Sequence, residues 1–136
     1  MISQGQCTQL KLDLLSNYFT SGSFKLALYG LSASLDSTTT AYTSIGEITG
    51  TGYTAGGKAL VVIPPSADPV SNTAYVSFQP AVWTPASFSC IGGLIYNAST
   101  NDAVCVLSFG SVRTASNSFT VTFPTFAAST AIIRIN

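Results

Sequence analysis

Residues 50–58 hold the one spacing in this chain that belongs to a known chemistry. Gly52-Tyr53-Thr54-Ala55-Gly56-Gly57-Lys58 reproduces the G-x-x-x-x-G-K of a phosphate-binding loop, and Gly50-Thr51-Gly52-Tyr53-Thr54-Ala55 reproduces a G-x-G-x-x-A dinucleotide spacing. Such a loop cradles phosphate on backbone N–H groups, needs a Ser or Thr after the lysine to hold magnesium, and delivers the anion to a helix N-terminus. Here Ala59 follows the lysine, and Ala59-Leu60-Val61-Val62-Ile63-Pro64-Pro65 reads as a β-run ended by prolines. Both requirements fail, so the segment reads as a glycine loop between two strands.

Other chemistry is equally sparse. The chain has no histidine, which excludes Ser–His and Cys–His nucleophilic pairs and histidine metal sites. The acids Asp13, Asp36, Glu47, Asp68 and Asp102 lie mostly beside turn residues, where carboxylates cap backbone amides, and no spacing suggests a glycosidase-like pair. The expectation is a protein that is not an enzyme, with no catalytic, cofactor or metal residues. Cys7, Cys90 and Cys105 are odd in number, unlike a secreted disulfide framework. A hairpin turning at Ser99 would set Cys90 opposite position 108 and Cys105 opposite position 93. That separates the thiols by about 10 Å along the strands, beyond disulfide reach, so both read as free core thiols. Asn97-Ala98-Ser99 is a sequon that reads as a turn. The aromatics Tyr29, Tyr42, Tyr53, Tyr75, Trp83 and Tyr96 offer either a stacking surface for sugars or single strands, or packing between sheets, the commoner use. Trp83, just before Thr84-Pro85, is expected near a surface or interface.

These residues must be positioned by a small all-β scaffold. A chain of 136 residues fits a single domain over 1–136, burying about 68% of its unfolded surface. Only 7% of residues are charged, against about 25% in ordinary soluble domains. Ser, Thr and Asn supply the polarity, while abundant β-branched and aromatic residues argue against disorder. Lys11, Lys25, Lys58, Arg113 and Arg134 are scattered and the formal net charge is zero, so nucleic acid is not expected as a partner. No apolar run approaches the ~20 residues of a membrane span, and residues 1–6 lack the features of a signal peptide. No membrane partner and synthesis in a cytoplasm are the expectations.

Residues 8–19 read as a helix, with Thr8 as N-cap and Leu10, Leu14 and Tyr18 forming the core-facing stripe. From Phe24 onward the period becomes that of strands, placed at 24–29, 45–49, 58–63, 73–79, 87–96, 102–109, 118–123 and 131–135. In the seventh, Phe119, Val121 and Phe123 alternate with Ser118, Thr120 and Thr122, the mark of a sheet with one wet face. Many short strands separated by turn residues predict a sandwich or barrel, with jelly-roll topology among the options.

The segment order Phe24–Tyr29, Thr39–Thr43, then Gly46-Glu47-Ile48-Thr49-Gly50-Thr51-Gly52-Tyr53-Thr54-Ala55-Gly56-Gly57 resembles a small protein encoded in many tailed-phage genomes. The likeness continues through Gly93–Asn97, Val106–Gly110, Phe119–Pro124 and Ala131–Ile135, nearly the whole chain. In this family a stretch Arg-Gly-Ala-Leu-Ile-Tyr-Asn is usual where this chain has Ile91-Gly92-Gly93-Leu94-Ile95-Tyr96-Asn97. The resemblance implies a capsid cement or decoration protein of a tailed bacteriophage, a jelly-roll-like β-sandwich with one short N-terminal helix. It would sit on the outer capsid surface of the virion and clamp neighbouring capsomers. Its expected partners are the major capsid protein and further copies of itself, as a homodimer or higher assembly. Low charge, which leaves little self-repulsion, is consistent with association. Gly50, Gly52, Tyr53, Gly56, Gly57 and Trp83 are the expected interface residues. The alternative is a receptor- or carbohydrate-binding tail or head-fibre module that uses the tyrosines and Trp83 as a stacking platform.

Overall fold

The computed structural model describes residues 1–136. The chain is mostly β, with one helix and several antiparallel sheets. It divides into two compact units, each assembled from segments distant in sequence: Met1–Gly22, Val61–Gln79 and Phe123–Asn136 form one, Ser23–Leu60 and Pro80–Thr122 the other.

The first unit packs helix α1 (Thr8–Ser21) on a three-stranded sheet of order β3 (Val62–Asp68), β4 (Thr73–Phe78), β9 (Ile133–Ile135). The buried helix face is Lys11, Leu15 and Phe19, one residue on from the expected stripe, and Leu10, Leu14 and Tyr18 are exposed. The pattern Leu10, Leu12, Leu14, Leu15 fits two faces equally well. Lys11 decides between them by laying its alkyl stem inward while Nζ donates to the Asn72 carbonyl at 2.8 Å. Phe19 meets Phe78 edge to face at 6.1 Å, and Phe78 in turn contacts Phe123 at 5.6 Å. The N-cap is Cys7, with no side-chain cap; the Thr8 hydroxyl instead donates to Asn72 Oδ1 at 2.6 Å. The helix also outruns its expected end at 19, as Thr20 and Ser21 bond back to the Ser16 and Asn17 carbonyls. β3 runs through Pro64 and Pro65 where the sequence suggested it stops. The β3–β4 register shifts between Ile63 and Ser66, so the two residues without N–H groups fall in a bulge that asks nothing of them.

The second unit holds a four-stranded antiparallel sheet of order β2 (Lys58–Ala59), β1 (Phe24–Tyr29), β6 (Phe88–Asn97), β7 (Ala103–Ala115), and a two-stranded ribbon of β5 (Ala81–Trp83) and β8 (Phe119–Val121). β1 matches the sequence reading residue for residue, and five of its six residues are buried. The stretch 45–49 is no strand; an isolated bridge, Tyr29↔Glu47, and the bond from the Ile48 N–H to the Leu28 carbonyl tie it to β1. β5 had no counterpart in the sequence reading, since three residues carry too little period to register.

The expected β6–β7 hairpin forms, with its register moved. Ile95 lies opposite Cys105 and Cys90 opposite Arg113. Two shifts cause this, the larger leaving the four residues 109–112 opposite Ile91 alone, with Gly110 at φ 80°. The thiols are thus five positions apart, about 16 Å along the strands, and all three cysteines are free. Burial pushes the Cys90 thiol up to about 11.

Candidate functional site

The residues of the glycine-rich stretch converge on one carboxylate. β2 pairs β1 only at Lys25 and Leu26, so the edge of β1 is bare from Ala27 onward. A backbone donor left unpaired inside a protein is costly. The loop after β1 supplies the missing partners: Ile48 N–H donates to the Leu28 carbonyl at 3.1 Å, Leu28 N–H donates to the Tyr53 hydroxyl at 3.0 Å, and Gly30 N–H donates to the Gly46 carbonyl at 2.9 Å. This stitching sets Glu47 beside the end of β1.

Glu47 then gathers the loop. Its Oε1 accepts the Tyr42 hydroxyl at 2.5 Å, and its Oε2 accepts the Tyr53 hydroxyl at 2.5 Å and the Gly56 N–H at 2.8 Å. Tyr96, from β6, closes the ring of contacts by donating to the Gly56 carbonyl at 2.6 Å and stacking on Tyr42 with centroids 4.6 Å apart. Tyr29 donates to the Thr43 carbonyl at 2.6 Å. Below this latch Ala27, Tyr29, Leu94 and Tyr96 form a buried cluster against which Leu35, Tyr42 and Val106 pack.

The glycines fit the same scheme. Gly57 has φ 86°, and a Cβ there would stand 2.0 Å from the Leu26 carbonyl oxygen; at Gly52, φ 86°, it would stand 1.9 Å from that of Pro85. Only glycine allows the loop to approach β1 and the Thr84–Ala86 turn so closely. Lys58, the would-be phosphate lysine, opens β2 opposite Leu26, and no helix follows it.

As chemistry, the latch is closed. Each oxygen of Glu47 is bonded, and the phenols around it resist ionisation. Burial, then the hydrogen bond to Glu47, raises both Tyr42 and Tyr53; burial, then the charge of Glu47, pushes Tyr29 up to about 12 and also raises Tyr96. Two of the other acids serve turns: Asp36 accepts the Thr38 hydroxyl and N–H, bonds that hold its carboxyl below the usual range, and Asp68 accepts the Val70 N–H and the Ser71 hydroxyl. A surface depression of the second unit, about 320 Å³, is lined by Asp36, Ser37, Thr39, Leu94 and residues 103–106, with a single charged group.

Of the six residues expected at an interface, the structure brings Tyr53, Gly56 and Gly57 into the latch, while Gly50 and Gly52 lie exposed on its approach. Trp83 is a correction. It is 3% exposed, set edge to face against Phe88 at 6.4 Å and tilted on Phe119 at 6.0 Å. Its position in β5, next to β8, turns the indole into the unit rather than outward. With Tyr29 and Tyr96 buried as well, the stacking platform of the alternative reading loses three of its members. The sequence missed Glu47, Tyr42 and Tyr96 as one group, because they are joined only by the fold; the single hint was a carboxylate beside turn glycines. Comparison with protein-family models, with curated proteins and with solved structures gave no match.

Proposed function

We propose that this protein is a structural virion component, a cement or decoration protein that binds the outer surface of a tailed-phage capsid and stabilises contacts between capsomers. What supports this reading is the use made of the most distinctive segment, residues 46–57. Its carboxylate, its phenol and its glycines are spent on bracing the loop against β1 and β6, leaving a rigid, nearly uncharged surface and no free reactive group. Rigid loops on a β-scaffold suit a role in which binding energy accumulates over many identical contacts rather than in one pocket. A jelly-roll-like sandwich relation among the sheets belongs to the same proposal. Exposed apolar side chains such as Leu31, Ile45 and Val112 in the second unit supply area for such contacts. The test mixes purified protein with capsids lacking it, then measures co-sedimentation and resistance to heat and pressure. Saturable binding with raised heat resistance is expected; no binding at about 10 µM, where even a weak specific interface registers, would overturn the proposal.

A further inference from the structure

β7 is the outermost strand of its sheet, with β6 on one side only. Its first turn is covered: Ala103 N–H donates to the Thr40 carbonyl, Tyr42 N–H donates to the Asn101 carbonyl, and Ala41 bridges Asp102. From Val104 onward no strand lies on the outer side. Natural edges of this kind are blunted by charges, prolines or bulges. Here the far half carries two of these devices, a bulge of residues 109–112 around Gly110 and the charge of Arg113, and the near end carries one, a single-residue bulge at Val104. From that bulge to the next, Val104-Cys105-Val106-Leu107-Ser108 holds no charge and no proline, and its four apolar residues are only half-buried.

We infer that the outer edge of β7 over Val104–Ser108 is a self-association surface, on which the same strand of a second copy pairs antiparallel about a two-fold axis at Val106. A row of unmet N–H and C=O groups is complemented only by another extended backbone, and antiparallel pairing of a strand with itself satisfies both copies at once. The axis sets Val104 opposite Ser108 of the second copy and Cys105 opposite Leu107, so no charge faces its like. A formal net charge of zero adds no long-range repulsion. The result is a continuous eight-stranded sheet, twice the four strands of one copy. This holds whether or not the protein binds a capsid, so its failure and that of the cement reading are separate events.

The experiment is light scattering on the full chain from about 1 to 100 µM, the range over which a dimer of micromolar affinity forms. It compares the wild type with Val104→Lys/Ser108→Lys and with Val104→Lys/Ser108→Glu. Both variants alter the same two positions, but about the proposed axis the first sets lysine against lysine twice and the second sets lysine against glutamate twice. The lysine–glutamate variant is expected to dimerise at least about tenfold more tightly than the lysine–lysine variant. A wild type that stays monomeric at the top of the range, or equal dimerisation of the two variants, overturns the inference. Should either variant fail to fold by circular dichroism, amide exchange of the wild type decides. Protection within Val104–Ser108 must rise with concentration, and protection independent of concentration overturns the inference equally.

Discussion

Replacing Glu47 with alanine removes the acceptor for three hydrogen bonds at a stroke. Hydrogen bonds to an ionised group contribute about 1.5–3 kcal/mol each, which bounds the loss at about 5–9 kcal/mol. Glu47 is half-buried, so water takes over part of what Tyr42, Tyr53 and the Gly56 N–H lose, and the expected cost falls to about 3 kcal/mol. For 136 residues the unfolding entropy is about 0.3 kcal/mol/K, so the melting temperature should drop by about 10 °C. Glu47→Gln keeps the shape and one acceptor oxygen and should fall between the two. Trp83, the single tryptophan, reports on the right unit: Tyr53 touches Phe88 at 5.9 Å and Phe88 touches Trp83 at 6.4 Å. Its emission and far-ultraviolet circular dichroism, followed during heating, give the two readouts. A shift below about 2 °C for Glu47→Ala, worth well under 1 kcal/mol, would refute the idea that the carboxylate organises the loop.

The glycines should rank by clearance. Gly57→Ala, with its Cβ 2.0 Å from a backbone oxygen, should cost more than about 3 kcal/mol or prevent soluble expression, whereas Gly56→Ala, whose nearest atom is the Tyr96 hydroxyl at 3.4 Å, should cost only the about 1–2 kcal/mol of its positive φ; urea denaturation checks the order. Alkaline pH should open the latch. Tyr29, Tyr42, Tyr53 and Tyr96 hold their protons more tightly folded than unfolded, so their stabilisation is complete below pH 10 and is lost as pH rises from 10 through the folded value, about 12 for Tyr29. Tyrosinate absorbance of these residues should then rise together with the loss of Trp83 emission. Ionisation of all four near pH 10 with emission intact would contradict the packing described. In the first unit, Leu15→Ala should lose about 2–5 kcal/mol and Leu14→Ala under about 1 kcal/mol, because Leu15 is 5% and Leu14 54% exposed; denaturant midpoints separate them.

What the chain's own text reveals depends on the range over which its signals act. β1 is legible to the residue because a dense apolar run is bounded by Gly22-Ser23 and Gly30, and its burial needs no distant partner to be guessed. The helix is legible as a helix, but its face turns on whether Lys11 can be buried, which the Asn72 carbonyl, 61 residues away, determines. The latch is the extreme case. Glu47 reads as a turn cap, and it does accept the Gly56 N–H, yet its bonds to two tyrosines go with β2 beginning only at Lys58 and leaving Leu28 to be satisfied by a side chain. Trp83 was misplaced for a related reason: its neighbour Pro85 suggests a turn, whereas a three-residue strand paired with Val121, Thr120 and Phe119 carries the indole inward.

The interleaving of the two units sets an order of events during synthesis. The polypeptide passes from one unit to the other at Gly22–Ser23, Leu60–Val61, Gln79–Pro80 and Thr122–Phe123. As residues emerge one by one, α1 comes first but must wait for β4 to give it a sheet, and β9 joins that sheet only at residues 133–135. The second unit, by contrast, has all its strands once Thr122 is out. A chain ending at Thr122 would therefore hold every strand of the second unit while the first lacked β9, and no single cut in the gene separates the two units into independent halves.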